Sequence, residues 1–293
     1  MNVVKLFVLV ALPVALFITA GFFGAGEEVL FFGFLLLLVI SVGMYWFSDR
    51  IVLKMCGAEL LTVYHSPTIF RAVEEMCRQA DLPAPTIYMI AEAAPNICSV
   101  GRNRRNAGLV FTDGILKSLS ADELRCAIAH ELVHIYRRDT LLATLAATFA
   151  SLLGMSTKAA RETASADDVS TSADGRLLRF AFNGMLTPFA PIAATLIQWL
   201  IDVKREFRAD EHGAKLTGNP LAMANTIRTM EKKKHVTPMD VVPAVAHLFM
   251  VSPLRPGRIE RMFSTHPSMV RRIERLEAMH RSMPQTKHVS VTK

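Results

Sequence analysis

The chain has 293 residues, 51% of them hydrophobic, and a formal net charge of +7. A mean hydropathy of +0.30 is too high for an ordinary soluble enzyme, and the apolar residues cluster in runs, as membrane spans do. The basic residues follow the ends of those runs and the last third of the chain with no interleaved aromatic patch, so a nucleic-acid partner is not expected. Cys56, Cys77, Cys98 and Cys126 are scattered, form no Cys-x-x-Cys pair and read as reduced thiols rather than metal ligands.

Lys5 precedes an apolar run from Leu6 to Phe23, and the short loop from Gly24 to Glu28 leads into a second run, Val29 to Phe47. A signal peptide would be cleaved after the first run; the tight return instead marks a membrane hairpin within residues 1–55, with spans at about 6–23 and 29–47. Lys5 before it and Arg50 and Lys54 after it put both ends in the cytoplasm by the positive-inside rule.

Residues 56–139 read as the first part of a cytoplasmic catalytic domain. Ser66 to Ala80 has helical periodicity in Ile69, Val73, Met76 and Cys77. Thr86 to Ile90 and Gly108 to Thr112 are predicted strands, with Asn96 to Arg105 a polar connection. Ser120 and Glu123 form a capping-box pattern, and Leu124, Ile128, Leu132 and Ile135 recur at helical spacing after it. On that helix lies His130-Glu131-Leu132-Val133-His134. Residues four apart share a face, so both imidazoles can reach one metal while Glu131 stands beside it as a proton acceptor.

Arg137-Arg138-Asp139 leads into an apolar run, Thr140 to Met155, of roughly 24 Å as a helix, short for a bilayer core of about 30 Å. A polar loop, 156–179, separates it from a second apolar run, 180–203, broken by Pro188 and Pro191. Crossing the bilayer or dipping into it, segment 140–203 is a hairpin that returns the chain to the side of His130. There Lys204-Arg205-Glu206-Phe207-Arg208-Ala209-Asp210 begins the second part of the domain, 204–283. Alone this charge run would read as a solvated helix face. Beside two histidines, Glu206 supplies the missing third zinc ligand, and Asp210, one turn on, can orient a ligand imidazole. Ser264-Thr265-His266-Pro267 introduces an amphipathic helix with Val270, Ile273, Leu276 and Glu277, and the tail, 284–293, reads as disordered.

These motifs resemble the HtpX-like membrane metallopeptidases, within the wider group that includes the CAAX-processing Ste24 proteases. The resemblance covers nearly the whole chain: the amino-terminal hairpin, Ala94-Pro95-Asn96 followed by Gly101, Ile128 to Ile135, Arg205 to Asp210, and Phe263 to Pro267. It implies a mainly helical α+β, zincin-type domain in which His130, His134 and Glu206 bind one Zn2+ and Glu131 is catalytic. It also implies a bacterial inner-membrane enzyme for quality control of damaged membrane proteins, often stress-induced. Asn96 and His266 are then candidate contacts to substrate or transition state. Two departures bear on substrate preference: Arg138 stands where a small residue is usual, and Asn96-Ile97-Cys98-Ser99-Val100-Gly101 replaces an N-A-F-A-T-G-like segment. Arg137 and Thr140 occupy the positions where a metzincin needs Gly and His, which excludes that class.

The expected partners are unfolded polypeptides or membrane proteins, together with the lipid bilayer. The expected substrate geometry is an extended strand added to a sheet edge, with Gly108 to Thr112 as the receiving strand. Two rival classes are an inactive membrane scaffold of the same fold and a transporter; the first two spans carry no ionisable residue, against the latter. If the helices of His134 and Glu206 continue unbroken into their apolar runs, the metal lies within about 10 Å of the bilayer surface. Arg137, Arg138, Asp139, Lys204 and Arg205 are then expected to form a charged collar at the headgroups.

Overall fold

The computed structural model describes residues 27–150, 201–237, 239, 241–254 and 266–283. The expected first span, the polar loop 156–179, nearly all of the run 180–203 and the tail 284–293 lie outside the described residues. The expected second span falls within helix α1, Glu27–Met55, of 29 residues or about 43 Å. Within Phe31–Met55 an 18-residue window has a mean hydropathy of 2.0 with only 6% of it buried, so by length and composition the helix can cross a bilayer. The helix does not stop at Phe47, because Ser48, Val52 and Cys56, four apart, are buried and carry it into the folded domain.

A four-stranded sheet follows, ordered β1-β2-β4-β3: β1 Glu59–Leu60, β2 Thr86–Ile90, β3 Ile97–Asn103 and β4 Asn106–Thr112. β2 and β4 are parallel; β3 and β4 form an antiparallel hairpin. The expected polar connection over Asn96 to Arg105 is therefore mostly strand. Ser99 and Gly101 hide its period in the sequence, yet Ile97 through Gly101 are all buried. The register separates two faces, as a period of two requires. Ile87, Ile97, Leu109 and Phe111 join Ile69, Val73 and Met76 of α2 (Pro67–Ala80) in one core. Ile90, Cys98, Val100 and Val110 meet Val52 and the segment around Phe249 in another.

After the short α3, Asp113–Ser118, the capping box starts α4, Ala121–Arg137. Ser120 accepts from the Glu123 backbone at 3.3 Å, and the Glu123 side chain accepts from the Ser120 backbone at 2.8 Å. Leu124, Ile128, Leu132 and Ile135 face the first core. α4 does not run on into the apolar stretch: Arg138 takes a left-handed conformation (φ 60°) and turns the chain into α5, Asp139–Ala150. α5 is largely covered by protein, with Ala143 and Ala147 in the second core and Thr144 and Thr148 bonded to Gly101 and Ser48. The remaining helices are α6 (Lys204–Thr217), α7 (Pro220–Val236) and α8 (Met269–Ser282), with a 3-10 turn at Pro243–Leu248.

α6 packs against the α4 backbone at Gly213. A Cβ there would stand 3.1 Å from the His130 backbone nitrogen and 3.3 Å from the Ala129 carbonyl carbon. Gly213→Ala should therefore push the two helices apart and destabilise the protein by about 1–3 kcal/mol, as overpacking does. Chemical denaturation checks it, and unchanged stability would show that this contact is not tight.

Candidate metal centre

His130, Glu131 and His134 project from α4 into the space facing Glu206 and Asp210 of α6. His130 Nε2 lies 3.2 Å from His134 Nε2 and 3.4 Å from Glu206 Oε2, and His134 Nε2 lies 3.7 Å from Glu206 Oε1. Tetrahedral zinc with bonds of 2.0–2.1 Å sets its ligand atoms about 3.3 Å apart. The donor set thus fits that ion in chemistry and spacing, and all three residues are buried.

Each imidazole turns its other nitrogen to a carboxylate. His130 Nδ1 is 3.0 Å from Asp210 Oδ1, the pairing expected for Asp210. His134 Nδ1 is 3.5 Å from Asp139 Oδ2. The expected collar placed Asp139 among the headgroups; the left-handed turn at Arg138 instead folds it back, buried, onto His134. Arg205, another expected collar residue, is also buried, donating to Glu206 Oε1 at 3.0 Å and to the His247 carbonyl at 2.8 Å.

Sequence reasoning missed Arg272. Its guanidinium is fully buried and grips Asp210 through Nε and Nη2, both at 2.7 Å, while Nη1 donates to the Met250 carbonyl. The expected inward face of α8 included Val270, which is exposed; Arg272 and Leu276 are the buried pair. Their four-residue spacing was a usable signal, masked by the charge on Arg272.

Glu131 is buried, with Oε2 accepting from the Ser99 hydroxyl at 2.6 Å. Oε1 takes no hydrogen bond among the described residues. Burial raises its pKa, and the two histidines and Ser99 only partly offset that. Burial would raise Glu206 too, but His130, His134 and Arg205 outweigh it and hold the carboxyl well below the usual range. Burial pushes the His130 imidazolium down, yet Asp210 and Glu206 win and hold its pKa up at about 9.

Asn96 and His266, the candidate substrate contacts, both hold the chain's own segment 247–251. Asn96 donates to the Val251 carbonyl at 2.7 Å and accepts from its nitrogen at 3.3 Å. His266 Nε2 lies 2.7 Å from the Phe249 carbonyl oxygen, and burial leaves its pKa near 4, so it is neutral and donates there. The Met250 nitrogen bonds the Ile97 carbonyl at 2.9 Å, and Phe249 pairs with Cys98 as in an antiparallel ladder. The expected receiving strand, within β4, is internal to the sheet. The strand beside the metal-binding cluster is β3, and segment 247–251 already lies along its outer edge.

A His130 pKa of about 9 means that the metal-free protein carries a proton there at neutral pH, whereas the lowered Glu206 does not. Zinc must expel that proton. Calorimetric titration near pH 7.5, in buffers of differing protonation enthalpy, should show about one proton released per zinc. No release would mean that His130 is neutral before the metal arrives.

Residues 65–280 match Peptidase family M48. The chain is 40% identical over 265 residues to a "Protease HtpX homolog" of Syntrophobacter fumaroxidans, covering 89% of this chain and 93% of that protein. It is 36% identical over 274 residues to another of that name from Methylibium petroleiphilum, covering 91% and 94%. Among solved structures, S. mikatae Ste24p aligns at 16% identity with a TM-score of 0.49, over 94% of this chain and 65% of that one. A His-His-Glu cluster on two packed helices and relatives similar along nearly their whole length agree: the chain belongs to peptidase family M48, a family of metallopeptidases.

Proposed function

We propose that the protein is an integral-membrane zinc endopeptidase that hydrolyses unfolded or damaged membrane proteins, with its catalytic domain on the cytoplasmic side of a bacterial inner membrane. The observation that carries the chemistry is the buried set of His130, His134 and Glu206 with Glu131 beside it. The relatives named as proteases support the peptidase reading, and the long apolar α1 supports the membrane setting.

Zinc held by His130, His134 and Glu206 would lower the pKa of a water and polarise the scissile carbonyl. The protein's own residues do the rest. Asp210 and Asp139 stand against the Nδ1 sides of the imidazoles, at 3.0 and 3.5 Å, so that with one proton on each Nδ1 both Nε2 lone pairs would face the cluster. Ser99 fixes Glu131 through Oε2 and leaves Oε1 as the atom that takes a proton from water and passes it to the leaving amine. Substrate enters as an extended segment that replaces residues 247–251 along β3, exchanging one set of backbone hydrogen bonds for another.

Glu131→Gln should keep about one zinc per chain yet slow casein hydrolysis by about 100-fold or more, the weight of a lost general base. Hydrolysis at the wild-type rate would remove Glu131 from that role; a wild-type protein loaded with zinc but inert would support the scaffold reading.

The replacement of segment 247–251 can be blocked with a native thiol. Cys98 and Phe249 form a non-hydrogen-bonded antiparallel pair, whose Cα atoms stand about 4.5 Å apart, within disulfide range. Oxidised Phe249→Cys should lose casein hydrolysis while retaining zinc, and reductant should restore it. Full activity of the cross-linked form, with Phe249→Cys in a Cys98→Ser background as control, would show that the segment need not move.

A further inference from the structure

The end of β3 and its turn into β4 carry Arg102, Arg104 and Arg105 within four residues, shaped by Asn103 Oδ1, which accepts from the backbone of Arg105 and Asn106. Arg102 lies over the Trp46 ring of α1 at 4.8 Å and donates to the Trp46 carbonyl at 2.8 Å. Arg104 lies over the Tyr136 ring at the end of α4 at 4.1 Å and donates to the Tyr136 carbonyl at 2.9 Å. Arg137 and Arg138 follow Tyr136 in the chain and are exposed as well. Arg137 stands 3.9 Å from Asp139, but among the described residues no carboxylate pairs with Arg102, Arg104, Arg105 or Arg138. Trp46 and Tyr136 are each 52% exposed.

Trp46 also fixes where this patch sits. With Phe47 it ends the exposed apolar face that begins at Phe31, and Ser48, the next residue, is buried against protein. Tryptophan and tyrosine at the end of a span settle at headgroup depth. Arg102, bonded to the Trp46 backbone, is held at that depth. The guanidinium groups of Arg102 and Arg104 each use one donor on a carbonyl and keep the rest of the fork, over an aromatic ring, for a phosphate.

We propose that the β3–β4 turn and the end of α4 form a binding surface for the headgroups of anionic phospholipids. The inference rests on the membrane reading of α1 and extends it from anchoring to recognition. It also replaces the expected collar, from which Asp139 and Arg205 are withdrawn. Its consequence reaches the metal centre. Ser99, which holds Glu131, is three residues from Arg102 along β3, roughly 10 Å, and Arg104 ties the end of the helix that carries both histidines. Headgroups held here set the depth at which the cluster faces the bilayer.

The test uses the full chain in detergent, titrated with equimolar phosphatidylglycerol and phosphatidylcholine, with retained lipids counted by native mass spectrometry. Near a membrane each basic residue is worth about a fivefold preference for anionic lipid. The wild type should retain phosphatidylglycerol at least about tenfold over phosphatidylcholine, and the triple variant Arg102→Gln, Arg104→Gln, Arg105→Gln should lose that preference. The triple Arg→Lys variant, which keeps the charge, should keep most of it, and zinc content equal to wild type shows that both variants fold. Equal retention of the two lipids by the wild type, or undiminished phosphatidylglycerol on the Gln variant, overturns the proposal. So does displacement of the lipid by about 10 mM inorganic phosphate, or preferential capture of an added oligonucleotide, since the headgroup forks would then serve a soluble anion. If the chain retains no lipid of either kind and stays soluble without detergent, the membrane reading itself has failed.

Discussion

Asp210 and Arg272 meet, cut off from water, through two 2.7 Å hydrogen bonds between α6 and α8. Desolvating such a pair costs nearly as much as its attraction returns, so its net contribution to stability is small. Losing one partner is another matter, about 3–5 kcal/mol, because the other charge is left buried and unpaired. The pair therefore acts as a positional lock. It fixes the carboxylate that faces His130 and ties α8 to the metal-binding helices. Through Nη1 of Arg272 it also reaches the Met250 carbonyl and so the segment lying along β3.

Around that lock a dense set of ionisable groups shares one enclosed volume: His130, His134, Glu206, Glu131, Asp139, Arg205 and Arg272. Such a collection is tolerable only if charges alternate in space, and they do. Arg205 and Arg272 flank Glu206, and Asp210 and Asp139 back the two imidazoles. The packing that permits it is mechanical: Gly213 lets the α6 backbone reach the backbone of His130. Local helix chemistry and global electrostatics thus require the same interhelical distance.

What was legible in the sequence is what depends on neighbours along the chain. The capping box, the four-residue spacing of His130 and His134, and that of Glu206 and Asp210 are helix-periodic, and the structure brings all four side chains together. What was not legible depends on a turn or on a partner from elsewhere. β3 looked like a connection because Ser99 and Gly101 are small, and smallness here reflects burial on both faces. Asp139 was placed at the membrane because nothing in Arg137-Arg138-Asp139 announces a left-handed arginine. Arg205 was misplaced and Arg272 overlooked because a charged residue is presumed solvated until its buried counter-charge is seen.

The closed edge of β3 links this architecture to the proposed selectivity. Segment 247–251 is held by backbone bonds to β3 and by Asn96, Arg205, His266 and Arg272, each bond worth about 1 kcal/mol net in a folded protein. Releasing them into water would make the open state a small minority. An extended polypeptide changes that balance, since its own N–H and C=O groups can take up the bonds that the segment gives up. A folded protein offers few such strands, having paired most of those groups internally and guarded its sheet edges. On the proposed reading, discrimination in favour of unfolded chains needs no recognition of side chains. It follows from covering the site with the chain's own backbone, which only another free backbone can replace at little cost.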